Sequence, residues 1–199
     1  QIRTGRYVMS FDTIVRAGRV VTSADVLTAD IGINDGRIAA IGTDLGATDD
    51  IVDAAGLIVM PGGIDSHVHI SQPSGPGIEM ADDFASASAA AVCGGNTTVI
   101  PFCLPEAGQS LRDAVKVYKA KAEGVCHVDY GIHLIVKDSD SRTLGQNLPA
   151  LLEDGHTSFK VFMTYDDLKL NDRQILDVLA TARRKGAMTM IHAENADCI

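Results

Sequence analysis

The 199 residues, 46% hydrophobic and 22% charged, hold enough apolar material for a packed core and lack the bias of a disordered chain. With 17 basic against 26 acidic residues, the net charge is −9, and no basic stripe interrupts it, which argues against nucleic acid as a partner. No apolar run approaches the roughly 18 residues of a membrane span and none near the start resembles a signal peptide, so no membrane association and a cytoplasmic location are expected.

Residues 1–8 precede Met9-Ser10-Phe11, which reads as a natural start, and are set aside as an added leader. Over 9–60 short β-type runs alternate with turn signals: Thr13-Ile14-Val15, Arg19-Val20-Val21, Asp30-Ile31-Gly32-Ile33, Arg37-Ile38-Ala39-Ala40-Ile41 and Ile51-Val52-Asp53. Asn34-Asp35-Gly36 between the third and fourth is a hairpin signal. This stretch predicts a small all-β module.

From Pro61-Gly62-Gly63 onward, over 61–199, the rhythm changes. Strands are predicted at 57–70, broken at the Pro-Gly-Gly, and at 97–102, 128–136, 158–163 and 188–192. Helices are predicted between them at 81–92, 110–123, 143–152 and 172–185, with Ser110 and Asn171 as N-caps and Gly124 and Gly186 as C-terminal caps. Near-continuous apolar strands alternating with helices indicate an α/β fold with a parallel sheet covered by helices. A (β/α)8 barrel takes eight such units over roughly 250 residues, so a barrel would be present here only in part. The competing arrangement is a complete five-stranded doubly wound sheet, against which stands the lack of a Gly-rich fingerprint after the first strand.

Asp65-Ser66-His67-Val68-His69 closes the first of these strands. Residues i and i+2 of a strand share a side, so His67 and His69 can present two imidazoles to one divalent metal such as zinc. The carboxyl end of a parallel strand is where such folds gather their sites. Asp65 is a candidate to orient a ligand histidine by a hydrogen bond, with a turn role as the alternative. Lys160 interrupts a strand that is otherwise apolar on both faces, Ser158-Phe159-Lys160-Val161-Phe162-Met163. It is either a snorkelling or ion-paired lysine, or one whose amine has taken up carbon dioxide as a carbamate, an anionic ligand able to bridge two metals. His192 ends a further strand and is a third candidate imidazole, while Tyr165, in the loop above Lys160, is a candidate oxyanion donor. His127, His133 and His156 are assigned surface or packing roles. Cys93, Cys103, Cys126 and Cys198 form no C-x-x-C pair and are expected to be buried free thiols.

The His67/His69 signature, the string Ser158-Phe159-Lys160-Val161-Phe162-Met163-Thr164-Tyr165 and Ile191-His192-Ala193-Glu194-Asn195 together resemble the dihydropyrimidinase/hydantoinase family of cyclic amidohydrolases. The resemblance implies the N-terminal half of a (β/α)8 TIM-type barrel, a small β-sandwich made by both chain ends, and a homotetramer. It implies two divalent metal ions, zinc in first place, held by His67, His69, His192 and a carboxylated Lys160 that bridges them. A metal-bridging hydroxide would open the C–N bond of a dihydropyrimidine, hydantoin or related imide ring, with Tyr165 stabilising the tetrahedral intermediate. The family's catalytic aspartate and a further metal histidine fall beyond the equivalent of Ile199.

The segment 71–80 departs from the family in lacking bulky apolar character, and the ring it would select is left open. Two alternatives stand beside this one. An allantoinase- or dihydroorotase-like hydrolase shares the His-x-His and the lysine, although no arginine near His69 answers the carboxylate of dihydroorotate. A non-catalytic scaffold similar to the collapsin response mediator proteins would have lost ligands that this chain keeps.

Overall fold

The computed structural model describes residues 10–75 and 77–199; the leader assigned to 1–8 lies outside the described residues. The described residues divide after Pro61 into two compact units.

The first unit is one five-stranded sheet: β1 (Thr13–Val21), β2 (Val26–Asn34), β3 (Arg37–Gly42), β4 (Asp50–Asp53) and β5 (Ile58–Val59). Its order is β3-β2-β1-β4, with β5 also on β1. The β2–β3 hairpin turns on Asp35 and Gly36 at φ 51° and 70°, the doubly positive pair of a type I′ turn. The two runs predicted at 13–15 and 19–21 are one strand with a bulge, where Arg16 and Ala17 stand opposite Asp30 alone. The Ala17 amide, freed from the ladder at φ 57°, donates to Asp30 Oδ1 at 2.9 Å, so the bulge leaves no orphan donor.

The second unit alternates strand and helix: β6 (Gly63–Val68), α1 (Phe84–Cys93), β7 (Asn96–Cys103), α2 (Leu111–Ala122), β8 (Asp129–Tyr130), β9 (His133–Ile135), α3 (Leu148–Glu153), β10 (Ser158–Phe162), α4 (Asp172–Lys185) and β11 (Met188–His192). One turn of π-helix, Thr143–Asn147, leads into α3. All pairings in this sheet are parallel, and the order is β6-β7-β9-β10-β11. Each strand therefore lies beside the next in sequence. A doubly wound sheet would reverse direction at a switch point; this curled parallel sheet has none.

The single strand predicted at 128–136 is two short ones, β8 and β9, joined through Gly131, whose amide donates to the Val99 carbonyl. Of the four cysteines, all free, Cys103 is buried and Cys126 half-buried, while Cys93 and Cys198 are exposed. The expectation of buried thiols fails at the last two because Cys93 closes α1 and Cys198 lies past β11.

Strands β9 and β10 are buried on both faces, while the edge strands β6 and β11 are partly exposed. Phe159 and Val161 point with Leu134, Val99 and Val178 into the main core beneath the helices, while Phe102, Ile135 and Phe162 form a separate cluster. Lys160, between the two outward residues of β10, shares the face of Phe162. Helix α4 locks this register: Asn171 and Gln174 make a reciprocal capping box, Gly186 ends the helix at φ 72°, and Ile175, Val178 and Ala182 face the core. No helix among the described residues is long and apolar enough to cross a membrane.

Candidate metal centre

His67 owes its position to a second bulge. Opposite the central strand β7, Asp65 pairs with Val99 and Val68 with Pro101, so Ser66 and His67 face Ile100 alone. Pro101 brings no N–H to the ladder, which is why the pairing slips here. The freed backbone groups find side chains. The His67 amide donates to Asp65 Oδ1 at 3.1 Å, and the Ser66 carbonyl accepts from His133 Nε2 at 2.9 Å. Asp65 thus acts on the His67 backbone two residues on, which is the turn role open for it in the sequence; among the described residues its carboxylate makes no bond to a histidine ring.

His133, assigned a surface or packing role from its sequence context, is buried and ties three strands together. With Nε2 donating to Ser66 on β6, its Nδ1 accepts from the Ser158 hydroxyl on β10. Burial lowers its pKa from the ordinary imidazole value, against the pull of the Ser66 carbonyl and with the help of Lys160; the ring is held neutral.

Phe102, fully buried on β7, is the floor on which the candidate ligands stand. Its ring centroid lies 4.7 Å from that of His67, 5.1 Å from His69 and 4.9 Å from His133. The Lys160 Nζ sits 4.1 Å above the same ring and 5.1 Å from the Phe162 centroid. Nothing in the pattern of β7 singled Phe102 out, since one aromatic in an apolar strand looks like any core residue.

Lys160 is 5% exposed. Among the described residues it forms neither an ion pair nor a hydrogen bond through its side chain, and burial lowers its pKa. Of the alternatives open for it in the sequence, the ion-paired lysine is the one these residues do not provide. A buried amine resting on two aromatic faces is partly compensated by them and is pushed toward the neutral form in which an amine is nucleophilic.

On the far side of Lys160 stands His192, in register with Phe162 across β10 and β11 and stacked on its ring at 5.3 Å. Its Nε2 lies 2.7 Å from Glu194 Oε2, which leaves Nδ1 as the lone pair of the neutral ring. Tyr165 is half exposed, with its ring 5.2 Å from that of His192 and its backbone at φ 68°, an unfavourable conformation for a residue with a Cβ.

His67, His69, Lys160, Tyr165 and His192 thus line one open cleft, with His67 and His69 on one side of Lys160 and His192 on the other. His67 and His69 are close, with ring centroids 5.5 Å apart. His192 does not join them, and among the described residues no three His, Cys, Asp or Glu side chains gather into a metal-sized cluster. His67 and His69 together are imidazole donors of the kind that could hold zinc or a similar divalent ion. At His67, burial first and then Lys160, His69 and His133 lower the pKa, which favours the unprotonated ligand form.

The sequence profile of the amidohydrolase family matches residues 58–199. The chain is 41% identical over 198 residues to a D-hydantoinase of Streptomyces coelicolor, spanning 96% of this chain and 42% of that protein. It is 35% identical to a dihydropyrimidinase of Rattus norvegicus over 94% of this chain and 37% of the relative. The crystal structure of dihydropyrimidinase from Brevibacillus agri superposes with a TM-score of 0.88 at 40% identity, covering 93% of this chain and 40% of that one. The chain therefore spans about two fifths of the length of the relatives it matches. It belongs to the amidohydrolase family, and its relatives include D-hydantoinases and dihydropyrimidinases.

Proposed function

We propose that this chain contributes the first part of the active site of a cyclic amide hydrolase, a metal-dependent enzyme that opens the C–N bond of a hydantoin, dihydropyrimidine or related imide ring. The observation that carries the proposal is Lys160, a buried amine without a counter-ion among the described residues, flanked by imidazoles on both sides. The ammonium first gives up one proton; the free amine then adds carbon dioxide, forming an N–C bond and releasing a second proton, so that a costly buried cation becomes an anionic two-oxygen ligand. His67 and His69 would then hold one divalent ion, zinc in first place, and His192 the other, with the carboxylated Lys160 between them. When bound, the two ions would acidify water and polarise the ring carbonyl.

The remaining work falls to the chain's own side chains. Phe102 and Phe162 close the cleft from below and keep water from the Lys160 stem, which strengthens every charge interaction above them. Tyr165 offers its hydroxyl to the oxyanion that develops on the attacked carbonyl. Its strained backbone is a cost that fits a residue kept for its side chain.

The proposal extends to the rest of the protein. The curled sheet would be completed as a (β/α)8 barrel, the first unit would form one part of a β-sandwich, and the assembly would be a cytoplasmic homotetramer. The names of the relatives, D-hydantoinase and dihydropyrimidinase, support the choice of rings.

A turnover screen of the full-length, zinc-loaded protein on dihydrouracil, 5-substituted hydantoins, allantoin and cyclic imides tests this. Ring opening of a hydantoin or of dihydrouracil is expected. Zinc-loaded protein inert toward the whole panel would count against the enzyme and for a scaffold role.

A further inference from the structure

The chain leaves the sheet after Val68, and beyond His69 three successive residues, Ile70, Ser71 and Gln72, are pinned. The Ile70 carbonyl accepts from the Tyr118 hydroxyl and the Ser71 carbonyl from Lys121 Nζ at 2.9 Å, both from α2. The Ser71 amide donates to the Asp82 carbonyl at 3.3 Å. Gln72, finally, donates from Nε2 to the backbone carbonyl of Phe102, the residue whose ring carries His67, His69 and Lys160.

That last bond decides which way the Gln72 amide faces. A carbonyl can only accept, so Nε2 is committed to it, and Oε1 is the atom presented to His69 Nδ1, 2.7 Å away. An amide oxygen carries no proton. The proton of this contact therefore belongs to His69 Nδ1, and the neutral ring keeps its lone pair on Nε2.

We infer that Gln72 is a positioning residue that holds His69 as its Nδ1–H tautomer, with the Nε2 lone pair free for a ligand in the cleft. The functional weight of this rests on the metal-site proposal above. A ligating imidazole commonly donates its other N–H to a fixed acceptor, and loss of such an acceptor typically weakens metal binding about 10- to 100-fold. Gln72 is suited to the task because its two amide ends do different jobs. A methionine of equal length offers no comparable acceptor, and a glutamate would set an oxygen against the Phe102 carbonyl. The polar character of the 71–80 segment, a departure from the family's apolar loop, acquires a reason at this position.

The test uses the full-length protein with 15N-labelled histidine, stripped of metal at mildly alkaline pH. Long-range 1H–15N correlations report the tautomer of each ring, and His69→Gln assigns the signal. The expected result is Nδ1–H at His69 in the wild type, a shift toward Nε2–H in Gln72→Met, and a zinc dissociation constant raised roughly 10- to 100-fold in that variant. An Nε2–H ring in the wild type overturns the inference, whether or not Gln72→Met folds, and so does a tautomer unchanged by the substitution. Wild type that shows Nδ1–H but binds no zinc sinks the metal-site proposal and leaves the role of Gln72 in setting the tautomer intact. Zinc bound with the opposite tautomer does the reverse.

Discussion

The Lys160 Nζ lies 4.1 Å above the centre of the Phe102 ring, so the buried lysine of β10 rests on the same aromatic plate as His67 and His69. The plate belongs to β7; His67 comes from the neighbouring β6, with His69 just past its end, and Lys160 from β10, which β9 separates from β7. Curling of the sheet thus gathers three strands onto one side chain.

Replacing Lys160 with alanine removes the amine that lies between the two sets of imidazoles. Activity of the full-length protein should fall by about 10²–10³-fold or more, the usual cost of deleting one electrostatic group at a reacting centre. Short-chain carboxylates such as acetate or propionate should restore part of it by standing in for the carbamate. Undiminished turnover in Lys160→Ala would remove the bridging role.

Phe102→Ala takes out a fully buried ring that no neighbour can replace. A loss of about 3–5 kcal/mol is expected in equilibrium urea unfolding, together with weaker zinc binding, because the rings of His67 and His69 lose their support. A stability loss with zinc affinity unchanged would limit Phe102 to packing.

At Tyr165 two substitutions separate backbone from hydroxyl. Tyr165→Phe should lower kcat by about 10²-fold at constant stability. Tyr165→Gly should match that loss yet gain up to about 1 kcal/mol locally, since glycine accepts φ 68° without strain. If Tyr165→Phe keeps full kcat, the hydroxyl has no part in the reaction.

His133 and His156 set a pH dependence. Both pKa values are lowered from 6.5, in each case first by burial. A base depressed in the folded state binds fewer protons there than in the unfolded chain, so its contribution is complete above 6.5 and is lost as pH falls through the folded values. The lowered carboxyls of Asp83 and Asp140, held by backbone amides, act only below 3.8, which assigns the intervening window to the imidazoles. The urea midpoint of metal-free protein should therefore drop between about pH 7.5 and about pH 5. His133→Gln, which retains a donor and an acceptor, should flatten that slope. A midpoint that stays level or rises on acidification contradicts the buried neutral ring.

Much of this architecture was legible along the chain because it is local. Apolar runs marked β7, β10 and β11, Asn171 and Gly186 bounded α4, and Asp35-Gly36 announced its turn. His67, Lys160 and His192 stood out as polar groups where apolar strands end or are interrupted. What escaped is set by partners distant in sequence. The bulge at Ser66 and His67 depends on Pro101 across the sheet and on His133, 67 residues away from Ser66. The joining of two predicted strands into β1 depends on Asp30. Phe102 and Gln72 carry no signature of their own; each acquires a role only through what the fold brings against it.

Whether these residues hold metal for ring opening is read from hydantoin turnover of the full-length protein before metal removal, after chelation, and after reloading with zinc and bicarbonate. Activity should be lost on stripping and regained on reloading, with regain absent in Lys160→Ala. Turnover that persists through complete metal removal, or that Lys160→Ala regains as fully as the wild type, would contradict that role.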